Sequence, residues 1–380
     1  MQKRQRILSA FLFLAVLLVF SAVTLLKPKK TVSETENRTL AERPHLSVAS
    51  LLDKSFMADT DVYLADHFFA RTELVQTKYT AEMLLGRKEL GGVYITDDRL
   101  IAKTTDEEVN ASNIDASLAA INTFASNTET PVAMLLAPTA AAVYANTLPD
   151  NAPNYDQNAL LQHATDTLRE HVTMINTFNA LSSMRDEYIY YRTDHHWTSY
   201  GAYCAYQAAI KKLGFSPIAY DKYSVEHVSN SFRGTLYAKC LYSDIEPDFL
   251  DLYTYESGAK VTGVTVSDGI QETKHDGLYY REYLDTMSQY NVYLGQNTAM
   301  VKIQTDVRND KKLLLFKDSY ANSLIPFLTQ HYSEIVVLDL RYIRGSYRDF
   351  AVPEDFSQVL LLYNAITFAT DQNVRLLGVS

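Results

Sequence analysis

Tyr188-Ile189-Tyr190-Tyr191-Arg192-Thr193-Asp194-His195-His196-Trp197-Thr198 puts a carboxylate, two imidazoles and the only tryptophan of the chain into four consecutive positions. A β-type apolar run precedes those four, and a helix-type run follows. Thr198 is a natural N-cap, and Ala202, Tyr206, Ile210 and Leu213 then recur at helical spacing until Gly214 ends the run. Junctions of this kind are where α/β proteins mount catalytic side chains. A second junction is Leu313-Leu314-Leu315-Phe316-Lys317-Asp318-Ser319, a buried-type strand that runs into a serine.

Around these two stretches the pattern is α/β. Pro131–Ala137, Val172–Ile175, Leu313–Phe316, Ile335–Leu340 and Val359–Tyr363 read as strands, and residues 157–170 and Tyr320–His331 as helices between them. Continuous apolar strands alternating with helices predict a parallel sheet covered on both faces. Before it come a helical region over 47–86, a hairpin over 91–101 and a helix over 106–126. Asp66 and His67, in the first of these, are read as holding a helix end. Residues 216–300 are rich in Tyr, Ser, Thr, Asp and Gly, and read as an irregular, partly β insertion shaping a substrate groove. The expected organisation is an N-terminal membrane anchor or signal segment over 1–30, a linker over 31–46 and one α/β domain over 47–380.

Composition narrows the function. Residues 1–30 carry Lys3, Arg4, Arg6, Lys27, Lys29 and Lys30 and no acid, leaving 29 basic and 45 acidic side chains in the rest. A body so acidic is unsuited to nucleic acid. Ile7–Leu26 is uncharged and, at about 1.5 Å per residue, matches the hydrocarbon thickness of a bilayer. It is longer than the apolar core of an ordinary signal peptide and no small-x-small site closes it, so an uncleaved anchor with the body outside is expected. Cys204 and Cys240 allow one disulfide or none.

The chemistry lies in Asp194, His196 and Ser319. A serine needs a base within hydrogen-bond reach, itself oriented by an acid. Asp194 and His196 are two apart, so in an extended segment both point to one side and His195 to the other. That makes His196 the base, Asp194 its orienter and His195 a supporting or substrate-facing residue. Ser319 at a strand-to-helix turn is the nucleophile, where a helix N-terminus favours developing negative charge. Adjacent histidines diverge in a strand and no second His/Cys cluster is visible, so no metal and no cofactor are expected. Trp197 fits packing or carbohydrate stacking. With Asp318 and Lys317 it joins His195 as a candidate substrate contact.

Asp194-His195-His196-Trp197 is the signature of the bacterial DHHW proteins, and the chain is identified as a member of that family. Further matches are Glu36-Asn37-Arg38, Asp66-His67-Phe68 to Arg71, Gly92-Val93-Tyr94, Thr198 and Gly201, Phe232-Arg233-Gly234-Thr235 and Asp318-Ser319. The family resembles the SGNH-hydrolase-like alginate O-acetyltransferases of the AlgJ and AlgX type, whose Asp-x-His-Trp pair also precedes the serine in the chain. The resemblance implies a three-layer SGNH-like α/β fold. It also implies a membrane-anchored, extracytoplasmic O-acetyltransferase or esterase acting on cell-surface polysaccharide. Its implied partner is a membrane-bound O-acyltransferase (MBOAT-like) protein that exports acyl groups. The alternative is a non-catalytic glycan-binding or assembly protein on the same scaffold. Two departures bear on the choice. Lys317 stands where those hydrolases place a glycine, and no Gly-x-Asn-Asp block supplies an oxyanion donor. Asn297, Asn322 and Asn364 are candidates for that role, beside the Ser319 N–H.

Overall fold

Leu313, Leu314, Leu315 and Phe316 are all fully buried, which is possible only for a strand covered on both faces. They lie in one of eight strands of a single sheet: β1 (Val132–Ala137), β2 (Val172–Ile175), β3 (Val261–Ser267), β4 (Glu272–His275), β5 (Met300–Thr305), β6 (Lys312–Lys317), β7 (Glu334–Leu338) and β8 (Gln358–Asn364). The computed structural model describes residues 2–379. The sheet order is β4-β3-β5-β7-β6-β8-β1-β2. The five strands from β7 to β2 are parallel. β5, β3 and β4 extend that parallel core as antiparallel neighbours.

Side-chain alternation along β6 sorts the two faces. Leu313 and Leu315 pack in one cluster with Ala202, Tyr206, Ala209 and Ile210 of the helix Ser199–Lys212, and with Phe327. Leu314 and Phe316 pack in the other with Ile114, Leu118, Ile121 and Phe124 of the helix Ala111–Ser126. The helices Gln157–Leu168 and Ala365–Thr370 share that second face through Leu160, Leu168 and Phe368. This is the expected three-layer arrangement. The hairpin also forms, as Val93–Ile95 against Leu100–Ala102.

The chain divides into two compact units, Met1–Arg87 with Ala238–Ser243, and Lys88–Tyr237 with Asp244–Ser380. Within 216–300, Ser224–Phe232 pairs with Asp248–Thr254 as a separate two-stranded ribbon, whereas β3 and β4 join the main sheet. Residues between β4 and β5 form short turns, Arg281–Asp285 and Gln289–Val292.

The first unit begins with the helix Gln2–Leu26, whose Arg4–Leu26 stretch is long and apolar enough to cross a membrane, as a signal sequence also is. The expected helical region over 47–86 is three helices, Val48–Leu52, Ser55–Asp66 and Arg71–Leu84. Lys54 and Ala70 break it, both at positive φ. Asp66 is structural: both its oxygens accept from the Arg38 guanidinium, at 2.9 and 2.6 Å. Glu36 bridges Arg38 and Arg71, so the Glu36-Asn37-Arg38 stretch is a clasp on the helices. His67 caps its own helix, ring Nδ1 to Tyr63 O at 2.9 Å. Cys204 and Cys240 are buried free thiols.

Candidate active site

Residues 192–196 are a succession of bends, not the end of a strand. The only ladder contact in this region is the isolated antiparallel bridge between Tyr190 and Trp197, which makes 191–196 a loop closed on itself. Asp248 fills the loop from behind. Its carboxylate accepts from Arg192 N (2.6 Å), Thr193 N (2.8 Å) and Thr193 Oγ1 (2.5 Å), and from the Tyr188 hydroxyl. Burial pushes the pKa of Asp248 up against these bonds.

At the front of the loop, Asp194 Oδ1 accepts from the His196 backbone N–H at 3.0 Å, an Asx-type turn. The same oxygen accepts from His196 Nδ1 at 2.5 Å. Oδ2 is held by Thr235 N at 2.8 Å and Thr235 Oγ1 at 3.1 Å. Burial pushes the Asp194 pKa up. The His196 and His195 imidazoles, with hydrogen bonds from His196 and the Thr235 backbone, outweigh it and hold the carboxyl well below the usual carboxylate range.

Ser319 is placed by Asp318. After β6, Asp318 N donates to Leu362 O. The Asp318 side chain accepts from Tyr320 N at 2.9 Å, and from Asn364 N and Nδ2 at 2.8 and 2.7 Å. The turn is thereby tied to the end of β8. Ser319 Oγ, half-buried at the C-terminal edge of the sheet, donates to His196 Nε2 at 2.8 Å. Asp194, His196 and Ser319 thus form one continuous hydrogen-bonded chain with both imidazole nitrogens in use. The Ser319 N–H has no partner among the described residues.

Three more contacts join the two stretches. Trp197 Nε1 donates to Tyr320 O at 2.9 Å and lies 3.1 Å from Ser323 Oγ. Tyr320 OH donates to His195 O at 2.5 Å. Tyr290, from the turn Gln289–Val292, lies flat on the His196 ring, with centroids 3.7 Å apart and planes 8° apart. Its hydroxyl donates to Ser319 O at 3.0 Å.

Several expectations change here. Asp194 and His196 do meet, but through an Asx turn rather than strand alternation. His195 does not point away: its ring is 3.8 Å from that of His196 and tilted 39°. Asp194, His195 and His196 therefore bring ligand-type atoms within 4.8 Å of one another. Both oxygens of Asp194 and both nitrogens of His196 are already engaged, so a cation there would have to break the connection to Ser319. Trp197, Asp318 and Lys317, expected as substrate contacts, are all buried and engaged with other parts of the protein. His195, 37% exposed at its side chain and bonded to Thr235 Oγ1 at 2.7 Å, keeps an open face.

The predicted helix Tyr320–His331 is a 3-10 turn, Ser319–Ser323, followed by only Ile325–Leu328. Little helix dipole is therefore available to Ser319. Lys317 turns its side chain into the protein, where Nζ donates to Asn297 Oδ1 at 2.6 Å and Asn322 Oδ1 at 2.9 Å, 3.6 Å from Asp339. Burial pulls its pKa down, against the attraction of Asp339. Asn364 spends its amide on Asp318, which removes it from the candidate oxyanion donors. Sequence reasoning missed Asp248 and Tyr290. Thr235 was within reach, in Phe232-Arg233-Gly234-Thr235.

An α/β domain with a hydrogen-bonded Asp–His–Ser chain at the C-terminal edge of its parallel strands has the layout of a serine-hydrolase-like fold. More narrowly, the sequence profile of the DHHW proteins matches residues 80–338, and the chain belongs to that family. A crystal structure of a DHHW family protein from Eubacterium siraeum is 24% identical and superposes with a TM-score of 0.66, over 76% of this chain and 95% of that one. Bacillus cereus PatB1, solved also with a sulfonyl adduct, is 23% identical with a TM-score of 0.64, over 74% and 98%. The O-acetyltransferase domain of Pseudomonas putida AlgJ aligns more loosely, at 15% identity and a TM-score of 0.45, over 76% and 99%. No curated protein matches the chain.

Proposed function

We propose that this protein is an SGNH-type O-acyltransferase or esterase, acting outside the cytoplasm on cell-surface polysaccharide with acetyl as the acyl group. The observation that supports it is the continuous chain from Asp194 through His196 to Ser319 Oγ. Ser319 Oγ attacks the acyl carbonyl while His196 Nε2 takes its proton. The Ser319 N–H, free of other bonds, faces the developing oxyanion. Collapse expels the donor alkoxide, which takes the proton from His196, and leaves an acyl-serine. A sugar hydroxyl or water then attacks, with His196 again the base, and the product ester or acid departs. Asp194 holds the imidazole in the tautomer with Nδ1–H toward the carboxylate.

The helix Gln2–Leu26 is the anchor in this reading, and the body lies outside. Cytosolic acyl-CoA does not reach such a site, so the donor must be delivered across the membrane. An MBOAT-like export protein is the partner that this chemistry calls for. His195 is the substrate-facing residue.

The test is acetate release from an aryl acetate by the detergent-solubilised full chain. Wild type is compared with Ser319→Ala and His196→Ala. Loss of turnover on the order of a thousandfold in both variants is expected. Equal rates in all three would favour a non-catalytic glycan-binding role.

A further inference from the structure

Tyr290 has no signal in sequence, being one of 27 tyrosines. It comes from the turn between β4 and β5, far along the chain from both site stretches. Its ring covers one face of His196 in near-parallel contact, 3.7 Å between centroids. Its hydroxyl reaches the nucleophile turn at two points, donating to Ser319 O at 3.0 Å and lying 3.3 Å from Ser323 Oγ. Its other aromatic neighbours, Tyr191 and Tyr293, meet it edge-on at 86° and 60°, as packing rings commonly do. Only His196 is stacked flat.

We propose that Tyr290 is the positioning residue that holds the base and the nucleophile in register. This rests on the reading of Asp194, His196 and Ser319 as a catalytic chain. With Tyr290 on one side and the His195 ring 3.8 Å away on the other, the imidazole is confined between two rings. A ring so confined cannot swing its Nε2 off Ser319 Oγ. The phenol face also excludes water from the Nε2–Oγ hydrogen bond, which strengthens it. The face presents π density to the imidazolium that forms when Ser319 gives up its proton. Because the same side chain grips Ser319 O, movement of the 276–298 segment is transmitted to both catalytic groups at once.

The ring, more than the hydroxyl, carries this role, and that separates it from simple core packing. In the full-length protein with an aryl acetate, Tyr290→Leu is expected to lower kcat by about tenfold to a hundredfold with KM nearly unchanged. Tyr290→Phe keeps the stack and is expected to retain kcat within about threefold. A second readout needs no turnover: sulfonylation by phenylmethylsulfonyl fluoride, followed by intact mass. There Ser319 Oγ bonds to sulfur, fluoride leaves and His196 takes the proton, so the rate reports nucleophile activation alone. It should fall in Tyr290→Leu in parallel with kcat and survive in Tyr290→Phe. Ser319→Ala separates the two levels. If wild type shows no Ser319-dependent turnover or labelling, the catalytic reading itself is wrong. If wild type does, and Tyr290→Leu matches it, the Tyr290 inference is wrong. If Tyr290→Leu does not fold, Tyr290→Phe decides: a loss beyond about tenfold in that variant overturns the role assigned to the ring.

Discussion

Thr235 N donates to Asp194 Oδ2 at 2.8 Å while the other carboxylate oxygen holds His196. Asp194 is thus fixed from two sides, and the second side depends on how closely residues 234–235 approach it. A Cβ added to Gly234 would overlap the Asp194 Cβ, Cγ and Oδ2. The φ of Gly234 lies outside the left-handed region, so it is space that demands the glycine. Gly234→Ala is expected to push Asp194 off His196 and cut turnover by about a hundredfold or more. The overpacking is expected to cost about 1–3 kcal/mol of stability. Aryl acetate turnover and denaturant unfolding of the variant check both parts, and a fully active Gly234→Ala would show that the carboxylate position is not critical.

Asp194→Asn tests the tautomer. The side chain keeps its shape, and its acceptor oxygen can still face Thr235. An amide NH2 then faces His196 Nδ1, which drives the proton to Nε2, where it meets Ser319 Oγ–H donor to donor. Turnover is expected to fall by roughly a thousandfold to ten-thousandfold with little change in KM. A drop seen mainly in KM would mean that Asp194 contacts substrate instead.

The fold was legible because the strands are buried on both faces. Val132–Ala137, Leu313–Phe316, Ile335–Leu338 and Val359–Tyr363 are apolar without alternation, as strands buried on both faces are. β3 and β4 are read only as part of a partly β insertion and not as strands of the main sheet, because they lie at its antiparallel edge: Thr262, Thr265 and Lys274 keep contact with water, so the pattern is an alternating and polar one. The Asp194–His196 pair was found by a rule for strands, although the local structure is a turn. Two-residue spacing brings side chains together in both geometries, so the pairing survived the wrong reason while the expected placement of His195 did not. Lys317 looked like a defect in the nucleophile turn. Only its partners, Asn322 five residues on and Asn297 and Asp339 about twenty residues away, explain why a cation is held there. Tyr290 was illegible for the same reason, since its meaning lies in the ring across from it.

Lys317 makes a third test. It is buried, and its removal leaves Asp339 with Arg341 as partner, at 2.6 Å, the Asn322 amide oxygen without a donor, and Asn297 Oδ1 with only a long 3.4 Å bond from Asn322 Nδ2. Lys317→Met retains the volume and is expected to destabilise by about 1–3 kcal/mol through the unmet polar groups. Lys317→Gly puts back the residue typical of SGNH hydrolases, yet it is expected to do worse, at about 3–5 kcal/mol, because a cavity is added to the same loss. Urea unfolding of the three proteins orders them. A glycine variant more stable than wild type would show that the buried cation is no part of what holds the turn.

The Arg38–Asp66 pair gives a prediction in pH. The Arg38 guanidinium, donating to both oxygens, outweighs burial and with the Ala41 N–H pulls the Asp66 pKa down to about 2. A carboxylate whose folded pKa lies below its unfolded value of about 4 adds stability that is complete above the unfolded value. That stability is lost as pH falls from about 4 toward 2. Arg38 is 37% exposed, so screening by solvent limits the pair to about 1 kcal/mol. Backbone amides of residues 31–71 should therefore lose hydrogen-exchange protection between pH 4 and pH 2 in wild type, after correction for intrinsic rates. In Arg38→Ala, protection should be lower at pH 5 and nearly flat across that window. An unchanged acid transition in the variant would mean that Asp66 is held by the Ala41 N–H alone, and that the Glu36-Asn37-Arg38 clasp adds no stability to the helices.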